Sequence, residues 1–446
     1  MPPCRACPCR QETSGTRRLD TISCCPFVTA LPPPSPRLFR AVRRARPHQP
    51  GKERQDVTID FDAIIDRRNT HSTKWDDLEA RCGVSHPDPI PLWVADMDFR
   101  APQSVIDTVR DAAEHGVFGY YGAGESFQEA QAGWMKRRHG WDIEADWGLV
   151  SHGLLNGIGI LLQALSDPGD GVIVFSPVYY QFMEMIRKNN RRLVASELVI
   201  EDNRYHMDLD ALQKQLKGDE KIMLLCSPHN PGGRIWTADE LRDLAGFCER
   251  NDIIICSDEI HHDLILPGHK HHLMAKAAPQ IAGRLITLVA TSKTFNIAGI
   301  ETGSMLISDR ALRSRIMPVY KAASISPNRF GMTMAEAAYR GGDEWLDALM
   351  VYLDRNRRRL NDAIAAIPGM SVMDLEATYL GWVDFSGTGM TADEVLARCH
   401  DKGLAPSVGG TFGAGGEHCL RLNIACRHAM LDDAMDRLTD AFSDLQ

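Results

Sequence analysis

Four short segments each end an apolar run on a residue able to do chemistry. Tyr179 follows "GVIVFSPV", Asn230 sits in "SPHNPGG" after "KIMLLC", Asp258 follows "DIIICS", and Lys293 follows "RLITLVATS". They are a stacking aromatic, an amide, a carboxylate and an amine. A lysine amine condenses with an aldehyde, and it accepts protons once a dry, partly cationic site has lowered its pKa. A carboxylate ~4 Å from a pyridine nitrogen, at an effective dielectric near 20, is attracted by ~4 kcal/mol, or about three pKa units. That keeps the ring protonated at neutral pH, so that it draws electrons. The amide donates to a phenolic oxygen and the aromatic face covers the ring. Together these are the requirements of pyridoxal 5'-phosphate. Its phosphate needs backbone N–H groups at a helix start, and "VSHGLLNGIGILLQAL" supplies a strand end, Gly153 and an apolar helix.

Taken singly, a strand-end lysine is usually a solvated charge, Asn-Pro a turn and Asp a helix cap. Four such residues in one order, each behind an apolar strand, make a site. Gly153, Gly157 and Gly159 lack the G-x-G-x-x-G spacing of a dinucleotide loop.

The elements that must position these residues are legible. "GVIVFSP", "KIMLLCSP", "DIIICSDE" and "RLITLVATSK" are short continuous apolar runs, the pattern of strands buried on both faces of a parallel sheet. "SVIDTVRDAAEHG" and "GESFQEAQAGWMKRRHG" predict helices closed by glycine. "TADELRDLAGFCERN" predicts a helix opened by Thr237 with Glu240 three residues on. Strands alternating with helices imply a doubly wound α/β sheet, whose ligands bind at the carboxyl ends of the strands. The last hundred residues change character. A long charged helix precedes "TYLGWVDFS", "DEVLARCHDKG" and "HCLRLNIAC", the pattern of a smaller α+β domain. The expected partition is an N-terminal arm over 1–56, a segment over 57–100 packing with the small domain, a large cofactor-binding domain over 101–330 and a small domain over 331–446.

The chain has 446 residues, 44% hydrophobic and 24% charged, the make-up of a globular protein with sizeable cores. No apolar run approaches the roughly 20 residues of a membrane span. The net charge of -9 is uneven, because residues 1–55 carry eleven Arg and Lys against Glu12, Asp20 and Glu53. The body is therefore strongly acidic and repels nucleic acid. The arm, with "LPPPSPRLFRAVRRARPHQP", cannot form a regular core; it fits a disordered extension or a start placed too far upstream better than an organelle transit peptide. Five of the twelve cysteines lie in it and the other seven are scattered, which implies reduced thiols and a cytoplasmic location. "CRACPC" has no second ligand group at zinc spacing. His269, His271 and His272 fall in a glycine-containing loop expected to be solvent-exposed, and no metal is expected. Trp93 and Asp96 suit a core and a cap as well as a substrate pocket.

From about residue 57 onward the chain resembles the fold-type I pyridoxal-phosphate enzymes, the aspartate aminotransferase superfamily, and within it the MalY/PatB-like cystathionine β-lyases, or C–S lyases. The motifs that carry the resemblance are "PLWVADMDF", "FGYYG", "SPHNPGGRIW", "SDEIHHDL", "SKTFNIAG" and "RLNIAC". It implies that Lys293 is the Schiff-base lysine, Asp258 the pyridinium partner, Asn230 the ligand of the phenolic oxygen and Tyr179 the ring-stacking aromatic. His261 falls where aminotransferases usually carry tyrosine, as is typical of the lyase branch. Arg421 matches the arginine that grips the substrate carboxylate, a task suited to a planar guanidinium. Gly153 and Leu154 match the backbone amides that hold the phosphate. Tyr120 matches a tyrosine reaching the phosphate from a neighbouring subunit, so a homodimer with shared sites is implied. Two positions depart from the pattern: Ala290 stands where many relatives have a phosphate-binding serine, and Glu301 about where aminotransferases have a phosphate-binding arginine. Ser292 and Thr291 are the available substitutes.

The implied activity is carbon–sulfur β-elimination from cystathionine or another cysteine S-conjugate, giving thiol, pyruvate and ammonia. An aminotransferase of the same fold uses the same residues and is the alternative; a regulatory protein built on the fold is a third. The substrate is a small amino acid, and neither nucleic acid nor membrane is expected as a partner.

Overall fold

The computed structural model describes residues 59–122 and 124–445. The basic arm over residues 1–56, with its "CRACPC" run, lies outside the described residues.

Seven strands form the central sheet: β1 (Gly148–Ser151), β2 (Gly171–Ser176), β3 (Arg192–Glu197), β4 (Glu220–Cys226), β5 (Ile254–Asp258), β6 (Leu285–Val289) and β7 (Gly303–Leu306). Their order is β1-β7-β6-β5-β4-β2-β3, and all neighbours are parallel except those of β7, which runs against both β1 and β6. The continuous apolar runs have the cause expected of them, a core on each face. Along β2, Val172 and Val174 enter one hydrophobic cluster while Ile173 and Phe175 enter another, following the two-residue period of a strand.

The helices that cover the sheet begin and end where their caps dictate. Helix α1 (Gln103–His115) is closed by Gly116 and α2 (Glu125–His139) by Gly140, both in the left-handed conformation. Helix α3 (Gly153–Leu165) puts Ile158, Leu161, Leu162 and Leu165 on the first face. Helix α4 (Ala238–Arg250) puts Leu241, Leu244 and Phe247 on the second, opened by a complete Thr237–Glu240 capping box. The single turn α5 (Thr291–Thr294) follows β6 directly and carries Lys293.

A second, antiparallel sheet contains β8 (Ser371–Val372), β9 (Leu380–Asp384), β10 (Ser407–Val408) and β11 (Cys419–Asn423) in the order β8-β9-β11-β10. The 23-residue helix α6 (Asp343–Ala365) packs against β9 and against α7 (His428–Ala441).

The segment before α1 carries two short helical turns, Thr73–Asp76 and Leu78–Cys82, and then runs beside β11. Ile90–Pro91 pairs in parallel with Leu404–Ala405, and Asn423 N donates to Leu92 O at 2.8 Å. It is pinned by a charge cluster: Arg67 bonds Asp96 (2.8 Å) and Asp98 (2.7 Å), and Lys74 bonds Asp98 (2.7 Å) with its side chain 1% exposed. Trp75 Nε1 adds a bond to Asp98 at 2.9 Å. Burial pushes the Asp98 carboxyl up, but Lys74, Arg67 and Trp75 outweigh it and hold it below the ordinary range.

Lys74→Met leaves the buried Asp98 carboxylate short of a partner and should cost about 3–5 kcal/mol, read as a lower denaturant midpoint. Adding Asp98→Asn should recover part of that loss. Because Asp98 is depressed in the folded chain, its contribution is fully present above the unfolded value of about 3.9 and is lost as pH falls through the folded value. The stability gap between the parent chain and Asp98→Asn should therefore close below about pH 4; a gap that persists in acid would contradict this.

Candidate active site

Strands β2, β4, β5 and β6 are parallel, so Tyr179, Asn230, Asp258 and Lys293 leave the sheet at one edge. Strand β1 ends there too, since β7 is antiparallel to both β1 and β6. The start of α3, with Gly153 at φ +72°, thus joins the same rim. Arg421 reaches it from β11 of the second sheet: its guanidinium donates to Asn230 Oδ1 (3.1 Å), Trp93 O (2.7 Å) and Ser407 Oγ (3.3 Å) and lies 4.8 Å over the Phe412 ring. That cation–π contact and those acceptors fix its plane.

The electrostatics follow from burial. Lys293 is lowered to about 8, by burial first and by Arg421, against the attraction of Asp96 and Asp258. Asp258 is raised to about 7, by burial first and by Glu259; the Ile260 N–H (3.0 Å) and Lys293 oppose this. Among the described residues Asp258 has no ion pair, unlike Asp98. His261, 2% exposed, is lowered to about 3 by burial, Lys293, Arg421 and His262, so it is neutral. Arg421 is lowered to about 10 by burial and remains charged at neutral pH.

Several buried polar atoms on this rim lack a partner, namely His261 Nδ1, Thr291 Oγ1, Ser151 Oγ, Ser227 Oγ and Arg421 Nε. Unsatisfied donors and acceptors of this kind are costly unless a ligand meets them. With a carboxyl that lacks a cation, an amine whose pKa is lowered toward neutrality and a positive-φ glycine at a helix start, the donor set fits pyridoxal 5'-phosphate. Ser151 and Thr291 are hydroxyls near the helix start that could meet a phosphate; Ser292 is buried beside them and Ala290 offers no donor. Glu301 is exposed at φ +44°.

Not every expected residue joins the cluster. Tyr120 is 97% exposed on a loop with Phe118 and Val117, which are also exposed. The expectation of a solvent-exposed histidine loop needs correction at His271. Its side chain is 2% exposed because Nε2 bonds the buried Glu259 carboxylate at 2.8 Å, a pairing twelve residues apart that composition does not reveal. Asp263, in the same histidine-rich stretch, accepts from Trp134 Nε1 (3.0 Å), His139 Nε2 (2.7 Å) and Thr294 Oγ1 (2.9 Å), and so fixes the turn that carries Lys293.

Sequence inspection missed what the backbone of 93–97 does. Trp93 O accepts from Arg421, Ala95 O accepts from Lys293 Nζ (2.7 Å) and from Tyr379 Oη (2.9 Å), and Val94 O and Asp96 O accept from Asn423 Nδ2. Asp96 itself serves the charge cluster with Arg67. Ser151 was also missed, although its place just before Gly153 was a usable signal.

The family profile described as "Aminotransferase class I and II" matches residues 87–438. The cystathionine β-lyase PatB of Bacillus subtilis (strain 168) is 36% identical over 389 residues, covering 86% of this chain and 100% of the relative. Protein MalY of Escherichia coli (strain K12) is 31% identical, covering 86% and 98%. Among solved structures, cystalysin of Treponema denticola, which contains a pyridoxal 5'-phosphate cofactor, superposes with a TM-score of 0.83 at 34% identity, covering 87% of this chain and 99% of that one.

The raised Asp258 carboxyl holds a proton in the folded chain at pH values where the unfolded chain has lost it. Its contribution to stability in the cofactor-free protein is therefore complete below about pH 4 and is lost as pH rises through about 7. Asp258→Asn should flatten that slope, as read from denaturation midpoints between pH 4 and 8. An unchanged slope in the Asn variant would assign it to another group.

Proposed function

The chain belongs to the class I and II aminotransferase family, and from that premise we propose that it is a pyridoxal 5'-phosphate-dependent carbon–sulfur β-lyase, cleaving cystathionine or another cysteine S-conjugate to thiol, pyruvate and ammonia. The observation that carries the reading is one rim that gathers a lysine amine on Ala95 O, a buried carboxyl with no ion pair among the described residues and a buried, fixed guanidinium. Its likeness to cystathionine β-lyases along nearly their whole length selects elimination over transamination.

When bound, the cofactor supplies an aldehyde that captures the substrate amine and a protonated ring that draws electrons from Cα. Lys293 holds it covalently. Asp258 would keep the ring nitrogen cationic, and that positive charge would in turn hold the buried, otherwise unpaired carboxyl ionised. Asn230, whose Oδ1 is engaged by Arg421, has Nδ2 left to donate to the phenolic oxygen. Tyr179 would cover the ring, and His261, neutral, would add no charge there. Gly153 and Leu154 at the start of α3 give backbone N–H groups to the phosphate, with Ser292 and Thr291 beside them.

Arg421 binds the substrate carboxylate through its fixed guanidinium and so sets which Cα bond faces the ring. Lys293 Nζ, released from its covalent bond by exchange with the substrate amine, would then take the Cα proton, a role suited to an amine that is partly neutral near pH 7. The thiolate leaves from Cβ, and water releases pyruvate and ammonia.

The exposed run of Val117, Phe118 and Tyr120 supports a homodimer in which Tyr120 completes the partner's phosphate site. No described helix is long and apolar enough to cross a membrane. The seven described cysteines are all unpaired, which supports a cytoplasmic location.

Purified protein given L-cystathionine should release free thiol and pyruvate in equal amounts. Conversion of an added keto acid without thiol would establish the aminotransferase instead, and a bound chromophore without turnover of any amino acid would establish a regulator. Lys293→Ala should abolish both the visible absorbance of the lysine-linked cofactor and turnover, the latter by about 10²–10⁴-fold or more.

A further inference from the structure

The Ala95 carbonyl is an unusual acceptor because it serves two donors from opposite sides of the site. Lys293 Nζ reaches it at 2.7 Å and Tyr379 Oη at 2.9 Å. A carbonyl oxygen has two lone pairs, so both are used and the amine and phenol are neighbours on one atom. Tyr379 is 1% exposed, its ring stands edge-on to His261 at 6.3 Å, and its hydroxyl has no other hydrogen bond among the described residues. The backbone aims it deliberately. Thr378, just before it, sits at φ +72°, a left-handed conformation that a β-branched residue rarely adopts. It is held there by its N–H on Leu264 O (2.7 Å) and by its own hydroxyl accepting from Leu380 N (3.1 Å). Strain of this kind concentrates at functional sites.

We propose that Tyr379 is a positioning residue for proton transfer by Lys293: by sharing the Ala95 carbonyl it fixes the orientation of the lysine amine and favours its neutral, proton-accepting form. The inference rests on the reading of Lys293 as the base. An ammonium gains more from a carbonyl than a neutral amine does, because its hydrogen bond is charge-assisted. A carbonyl already engaged by a phenol proton has less electron density to offer, so sharing weakens the ammonium more than the amine. The other groups facing Nζ are Asp96 from the N-terminal segment and Asp258 from the end of β5, which favour the ammonium, and Arg421 from β11, which disfavours it. His261, after β5, is neutral and leaves the balance unchanged.

Two substitutions at one position move the balance in opposite directions. Tyr379→Phe removes only the hydroxyl, whereas 3-fluorotyrosine at 379 keeps every contact and strengthens the donor. In the cofactor-loaded full chain, Tyr379→Phe should move the acid limb of kcat against pH upward by about one unit, lowering kcat at pH 7 about tenfold with KM within about twofold. The fluorinated protein should move that limb downward. A second readout is independent of turnover: in the full chain before cofactor loading, the pH midpoint for acylation of Lys293, followed by peptide mass mapping, should move in the same two directions. Limbs and midpoints that stay fixed, or that move the same way in both proteins, would overturn the proposal even if kcat fell. Should Tyr379→Phe fail to fold, the fluorinated protein decides alone. Borohydride trapping in the parent chain separates the two levels, since a label away from Lys293 sinks the assignment of the base, whereas a label on Lys293 with an unmoved limb sinks only the role of Tyr379.

Discussion

Taking a carboxylate out of water is expensive unless a cation meets it, and this chain meets that constraint in two ways. Asp98 is surrounded by Lys74, Arg67 and Trp75, and its carboxyl is held low. Asp258 is equally buried, has one backbone N–H for company, and is driven up to about 7. The first arrangement is complete within the protein. The second has no cation among the described residues, so the same residue type reads as an anchor in one place and, on the proposed reading, as the partner of a cationic ring in the other.

The anchor matters to the site because it ties down the backbone that faces the pocket. The charge cluster at Asp96 and Asp98 fixes the stretch whose carbonyls at Trp93 and Ala95 receive Arg421 and Lys293. The Arg421 guanidinium and the Lys293 amine come from different sheets, and this one segment is their common acceptor. A parallel sheet delivers its strand-end residues to one rim, but the distance between amine and guanidinium is set by a strip of main chain that belongs to neither sheet.

That division explains what was legible in the amino-acid sequence. The parallel strands were, because burial on both faces leaves a run such as Ile253–Cys256 without polar interruption. The meeting of Lys293, Asp258, Asn230 and Tyr179 at one edge was too, since these are side-chain identities at fixed offsets from parallel runs. Residues acting through main chain were not: a carbonyl has no residue type, so nothing in "WVADMD" announces that Ala95 is an acceptor. Tyr379 was hidden by conformation, since only the left-handed backbone at Thr378 turns it toward Lys293. His271 was misjudged because its partner, Glu259, becomes its neighbour only after the loop has folded back.

The same geometry bears on the fate of the electrons released at Cα. Elimination and transamination diverge after the same deprotonation, one expelling a group from Cβ and the other returning the proton to the cofactor. An amine free to swing between Cα and the cofactor serves transamination. An amine tethered by an N–H to a carbonyl that is itself held by a phenol and by an ion-paired segment has less freedom to carry the proton away. On the proposed reading of Lys293 as the base, restricting it in this way favours β-elimination whenever Cβ bears a thiolate, a good leaving group.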